Sequence, residues 1–147
     1  MNLDKIKEMW KEDCVIDDIE LDKSSLDVPK LHAKYSELLT DQIVRIKNLQ
    51  FQKNILMKDK WLWYNGKLDQ SRIQELGWTP DPFDGLKVLK NDHQVWLNAD
   101  ADVQKIDAQI ELTNITINFL RECMQNITWR HQTIKNTIEW RKFMAGS

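Results

Sequence analysis

The sequence predicts a mostly α-helical chain built from a few long helices, and three observations predict it. Only four Gly and three Pro interrupt 147 residues, too few for the many turns of a β sandwich or a Rossmann-type sheet. Apolar residues recur at steps of three and four over long stretches, the spacing of a helix with a buried stripe. Hydrophobic residues make up 41% and charged residues 30%, a balance outside the range of disordered chains. This length suits one folding unit, because two separate cores would each be marginal.

Taken in order, Leu3, Ile6 and Trp10 predict a short amphipathic helix before an acidic stretch around Asp17, Asp18 and Asp22. Asp27 can cap, and Pro29 can occupy the first turn of, a long helix bearing Leu31, Tyr35, Leu38, Leu39, Ile43, Ile46 and Leu49. No Gly or Pro follows until Asn65-Gly66, so this helix should run to Tyr64 and stop at a left-handed cap. From Lys67 to Gly85, Gly77, Pro80, Pro82 and Gly85 interleave with Trp78 and Phe83, which reads as a loop packed by aromatics. Leu86 to Leu97 is expected to be helical. Asn98, Asp100 and Asp102 then read as a capped restart, with acids at the positive end of the helix dipole. The last helix meets no Gly or Pro before Gly146 and ends with Arg141 and Lys142 at its negative end; at ~1.5 Å per residue it spans on the order of 65 Å.

Read as heptads, that helix places Val103, Ile106, Ile110, Thr113, Ile117, Leu120, Met124, Ile127, His131, Ile134 and Ile138 on one seam. The seam can face the chain's own second helix in a hairpin, with His131 a satisfied buried histidine, or it can pack between chains. A second apolar stripe, Leu112, Ile115, Phe119, Trp129, Trp140 and Phe143, favours packing between chains, since one partner cannot cover both faces. Repeating such a contact closes a ring when the rotation allows. Flanking positions such as Arg121, Arg130 and Lys135 lack the opposed Glu and Lys pairs of a two-stranded coil. The expectation is a coiled-coil-like assembly helix over 98–147 that builds a ring-like homo-oligomer larger than a dimer, with 1–97 as a separate binding region.

Several function classes find no footing. There is no phosphate-binding glycine loop, HExxH motif, nucleophile elbow or plausible Cys and His pairing, so no enzyme, metal or cofactor is expected. Cys14 and Cys123 stand far apart without a CxxC neighbour, which suggests a reducing cytoplasm rather than a disulfide framework. No apolar run nears the roughly 18 residues of a membrane span, and MNLDKIKEMW lacks the apolar core of a signal peptide. The Asn-x-Thr triplets at Asn114 and Asn126 are therefore not expected to matter.

Charge carries more information than the net value of −2. Residues 1–29 hold four Lys and nine acids, whereas residues 30–67 hold eight Lys or Arg and three acids, a local net of +5. Local patches decide polyanion binding. Within the basic block, Lys53, Lys58, Lys60 and Lys67 alternate with Trp61, Trp63 and Tyr64 at a helix end. Lysines suit phosphates and aromatic faces suit unstacked bases, at ~1–3 kcal/mol per base; the same pattern also fits core aromatics beside a solvated lysine face. Without a helix-turn-helix, zinc finger or basic zipper, single-stranded DNA fits better than duplex. A coiled-coil scaffold or adaptor without DNA binding is the competing reading.

Glu12-Asp13-Cys14-Val15-Ile16-Asp17, Lys58-Asp-Lys60 followed by Tyr64-Asn65-Gly66, Asn98 to Asp107, and Arg141 to Gly146 stand in the order of family landmarks. Over nearly its whole length the chain resembles the UvsY family of recombination mediators from T-even-like phages. That resemblance implies a non-catalytic protein of the infected bacterial host's cytoplasm that oligomerises through its carboxy-terminal region. It further implies binding of single-stranded DNA and help for the phage recombinase in replacing the phage single-strand-binding protein. The family's DNA-contacting basic pair falls on Lys58 and Lys60, with lysine at the second position where the family pattern has arginine. Trp61 and Trp63 make the segment more aromatic than that pattern, and the Trp78 to Gly85 loop differs.

Overall fold

The computed structural model describes residues 1–146, and no β-strand occurs among them. Six α-helices are formed: α1 Leu3–Asp13, α2 Leu21–Leu26, α3 Val28–Tyr64, α4 Gln70–Leu76, α5 His93–Asn98 and α6 Ala101–Met144, with a 3₁₀ turn Lys90–Asp92 before α5. Two compact units result, one from Met1–Val44 with the chain from Asn114 onward, the other Arg45–Thr113. The helices α3 and α6 contribute to both.

In the first unit, Ile6 of α1, Tyr35 of α3 and Leu120, Cys123 and Ile127 of α6 form a fully buried cluster. Burying an Ile or Leu side chain contributes roughly 1.5–3 kcal/mol, so these few residues dominate the local stability. Asn2 starts α1 by accepting the Lys5 N–H on its side-chain oxygen at 2.9 Å. At the other end Asp13 accepts from the Tyr35 hydroxyl at 2.9 Å and from Lys34 at 2.6 Å. Arg130, buried, donates both terminal nitrogens to the carbonyls of Asp13 and Val15, each at 2.9 Å. The turn after α1 is thereby tied to α3 and α6. Trp10 sits edge-on to Tyr35 with ring centroids 5.1 Å apart.

In the second unit, Trp63, Tyr64, Ile73, Leu97 and Val103 form the core, with Trp78, Phe83 and Trp96 packed against it. The end of α3 has the expected glycine stop: Gly66 has φ +69°, and the N–H groups of Gly66 and Lys67 return to the carbonyls of Trp63 and Leu62. Asp100 caps α6 as expected, its carboxylate accepting from Asp102 N at 2.9 Å and Val103 N at 3.2 Å.

Two expected segments differ. The supposed loop from Lys67 to Gly85 contains α4, stopped by Gly77 at φ +72°; its seven residues are too short to display a period. The expected helix from Leu86 to Leu97 is reduced to the 3₁₀ turn and α5. A further short helix, α2, lies after the acidic stretch, where Asp17 accepts the Ile19 N–H at 3.0 Å.

The seam on α6 also differs from the heptad reading. Val103, Ile106, Thr113, Ile117, Leu120, Ile127 and Ile134 are buried within the chain itself, Ile110 and Met124 are half-buried, and Ile138 is exposed. The buried face passes through Cys123 and Arg130 instead of Met124 and His131. A strict heptad drifts ~20° per repeat on a straight α-helix, so the seam slides off the covered face toward the carboxy terminus. His131 consequently lies exposed, its ring Nδ1 2.7 Å from the Thr128 carbonyl oxygen. Val103, Ile106, Thr113, Ile117, Leu120, Ile127 and Ile134, expected to join chains at this seam, are core residues of the single chain.

Candidate nucleic-acid interface

The last turns of α3 carry the basic and aromatic residues, and helical geometry divides them. Residues three or four apart share a face: Asp59 with Trp63 and Lys60 with Tyr64 point inward and are buried, while Lys58 and Trp61 are exposed. Trp61 is 50% exposed. Lys67, exposed just beyond the glycine stop, places its Nζ 5.2 Å from the centre of the Trp61 ring. Lys58, Trp61 and Lys67 thus form an outward cation–aromatic–cation surface. Lys53, one turn and a half earlier, is half-buried and paired with Asp107 at 2.6 Å. Both groups of that pair touch solvent, so it contributes only about 0–1 kcal/mol and can yield to a phosphate.

Lys60 corrects the sequence reading. Its side chain is 3% exposed, with Nζ 3.0 Å from Asp100 and 2.9 Å from Asp102. The same ammonium lies 3.9 Å from the Trp78 ring centre and 4.6 Å from that of Trp63. A cation buried between two carboxylates and two indoles is not presented to solvent as a phosphate contact. Trp63 and Tyr64 are likewise core residues, Trp63 Nε1 donating to the Thr79 carbonyl at 2.8 Å and the Tyr64 hydroxyl to Asp100 at 2.7 Å. Of the three aromatics, Trp61 is left to meet a ligand.

Asp100 was legible as a cap but not as the partner of Lys60 and Tyr64. Burial opposes its ionisation. The hydrogen bonds from Tyr64, Lys60 and Val103 N, with the nearby Lys60 charge, outweigh that and hold its carboxyl below the usual carboxylate range. Burial and the bond to Asp100 push the Tyr64 phenol well above its ordinary value, so it remains a donor. Arg72 closes the other side of the α3 end, donating to buried Asp59 at 3.0 Å. Arg130 also escaped the sequence reading, since nothing local marks an arginine as buried.

Among the described residues no cluster of His, Cys, Asp or Glu could hold a metal ion, and no helix is long and apolar enough to cross a membrane. On α6 the second stripe is exposed at Ile115, Trp129, Trp140 and Phe143, with the last two rings stacked at 5.7 Å.

Long helices with an outward Lys58–Trp61–Lys67 surface define the class: a mostly helical protein with an exposed cation–aromatic face. The family model for the recombination, repair and ssDNA binding protein UvsY matches residues 9–147, and the chain belongs to the UvsY family. It is 25% identical over 146 residues to recombination protein uvsY of Enterobacteria phage T4, covering 99% of each chain. Its fold matches crystal structures of the bacteriophage T4 recombination mediator protein UvsY. In one lattice type the TM-score is 0.77 at 21% identity, covering 98% of this chain and 99% of that one. In a second it is 0.78 at 22% identity, covering 99% and 98%.

Proposed function

We propose that this chain is a non-catalytic recombination mediator that holds single-stranded DNA on the surface formed by Lys58, Trp61 and Lys67, with Lys53 at its margin. Assembled as a homo-oligomer in the cytoplasm of the infected bacterial host, it helps the phage recombinase take the place of the phage single-strand-binding protein. The carrying observation is the contact of Lys67 with the exposed Trp61 ring, one helical step from exposed Lys58. Cations on either side of an aromatic face, here Lys58 three residues before Trp61 and Lys67 six after it, can meet successive phosphates while a base stacks between them. Membership of a family described as recombination, repair and ssDNA binding supports the same reading. With no nucleotide hydrolysis in the scheme, exchange of proteins on DNA is driven by binding energy and mass action. Repetition of a modest site in an oligomer supplies avidity, and the exposed tryptophans of α6 are the surface for that assembly.

The test is fluorescence anisotropy of labelled oligo-dT against a duplex of equal length over a range of salt. Preference for the single strand is expected, with log affinity falling linearly in log salt. Lys58→Ala with Lys67→Ala should flatten the slope by about 0.7 for each contact removed. Equal affinity for the duplex, or an unchanged slope in the double variant, overturns the reading.

A further inference from the structure

Beside the proposed DNA surface lies a cleft of about 430 Å³ that the phosphate contacts do not use, within the roughly 300–1,000 Å³ usual for small-ligand sites. Its apolar lining includes Trp63, Tyr64, Phe83 and Pro82, and its polar lining Asn65, Gln70, Asp81 and His93. The loop above it is held in place rather than collapsed: Asp81 accepts from the N–H groups of Phe83 at 2.9 Å and Gly85 at 2.6 Å, and Thr79 is tied to Trp63. Phe83 packs on Tyr64, His93 and Trp96 with ring centres 5.1 to 5.5 Å apart, so its ring is fixed without help from a ligand.

We propose that this cleft is a nucleobase subsite for one residue of the bound single strand. The inference rests on the DNA-binding reading of the Lys58–Trp61–Lys67 surface and adds the place where a base goes. Position argues for that occupant: Lys67, the cation on the Trp61 face, stands in the chain between Gly66 and Leu68, which both line the cleft. A strand whose phosphate meets Lys67 has a base within reach of the opening. The chemistry agrees. Asn65 donates its amide N–H to the Trp61 carbonyl at 2.7 Å, which leaves its side-chain oxygen to face His93 Nδ1 at 3.3 Å. His93 Nδ1 is then the donor of that contact. The Gln70 amide, which lines the cleft, both donates and accepts, so it can meet the edge of any of the four bases. Aromatic walls and an unselective edge describe a sequence-tolerant base site rather than a reader of sequence.

The experiment compares oligo-dT with an abasic strand of the same length and charge, by anisotropy with the full-length protein, for wild type, Phe83→Ala and His93→Ala. Melting curves confirm that each variant is folded; His93→Ala, at a half-buried position, serves if Phe83→Ala is not. Wild type should bind oligo-dT about tenfold more tightly than the abasic strand, within the range a stacked base supplies, and the gap should shrink at least threefold in the variants. A gap that survives in both variants places the base elsewhere, as on Trp61, and overturns the subsite. Equal wild-type affinity for the two strands also overturns it, while leaving phosphate binding intact. Binding of neither strand overturns the DNA reading itself.

Discussion

Replacing Lys60 separates a structural lysine from a binding one. Lys60→Ala removes two ion pairs, to Asp100 at 3.0 Å and Asp102 at 2.9 Å, and takes the cation from between Trp63 and Trp78. Breaking a buried pair by deleting one partner costs about 3–5 kcal/mol, because the other charge stays buried. Asp100 keeps the Tyr64 hydroxyl and the N–H groups of Asp102 and Val103, and Asp102 reaches solvent with its side chain 52% exposed. The lower end, about 3 kcal/mol, is therefore expected. At about 2–4 °C per kcal/mol for a chain of this size, Tm should fall by roughly 6–12 °C. Lys58→Ala, at an exposed helical site, should stay within about 0.5 kcal/mol of wild type while weakening DNA binding. The assay is thermal unfolding followed by circular dichroism at matched protein concentration, with anisotropy on the same samples. A Lys60→Ala protein that melts with wild type but loses DNA affinity would refute the buried ion pair and return Lys60 to the surface.

Asp100, held below the ordinary carboxylate value of 3.8, contributes stability that is present above that pH. It is lost as pH falls through the lower folded-state value; Asp100→Asn should reduce stability at pH 7 and flatten the acid limb, read from urea midpoints between pH 7 and 3. Cys14 is exposed and Cys123 buried, its thiol pushed up to about 12 chiefly by burial. One thiol per chain should therefore react quickly with a colorimetric disulfide reagent and the second only in denaturant. Trp129→Asp with Trp140→Asp should lower the assembled mass by light scattering without lowering helix content, whereas Ile117→Asp, at a core position, should unfold the chain. Retention of full mass by the tryptophan variant would remove the exposed stripe from assembly.

Local chemistry made much of the helical frame legible. The reach of α3 to Tyr64, its stop at Gly66, the Asp100 cap and the uninterrupted α6 each follow from residues within a few positions of one another. Residues Gln70–Leu76 were hidden because a seven-residue helix shows too little periodicity to stand out among Gly and Pro. At the candidate site, composition and the family resemblance singled out the end of α3 but could not sort its residues. Lys58, Lys60 and Lys67 are chemically alike. What separates them is that Asp100 and Asp102, some 40 positions away, meet Lys60 in the fold and leave Lys58 on the surface.

The sequence by itself determined that the chain is helical, where its long helices stop, and which segment concentrates cations and aromatics, because propensity, capping and charge are properties of neighbours. Only the tertiary structure decided which α6 residues are covered, that Trp63 and Tyr64 are core while Trp61 faces out, and that Lys60 is a strut. Those outcomes depend on burial and on pairings between residues distant in the chain. A 3.5-residue seam and a 3.6-residue helix, indistinguishable over two turns, diverge over the length of α6.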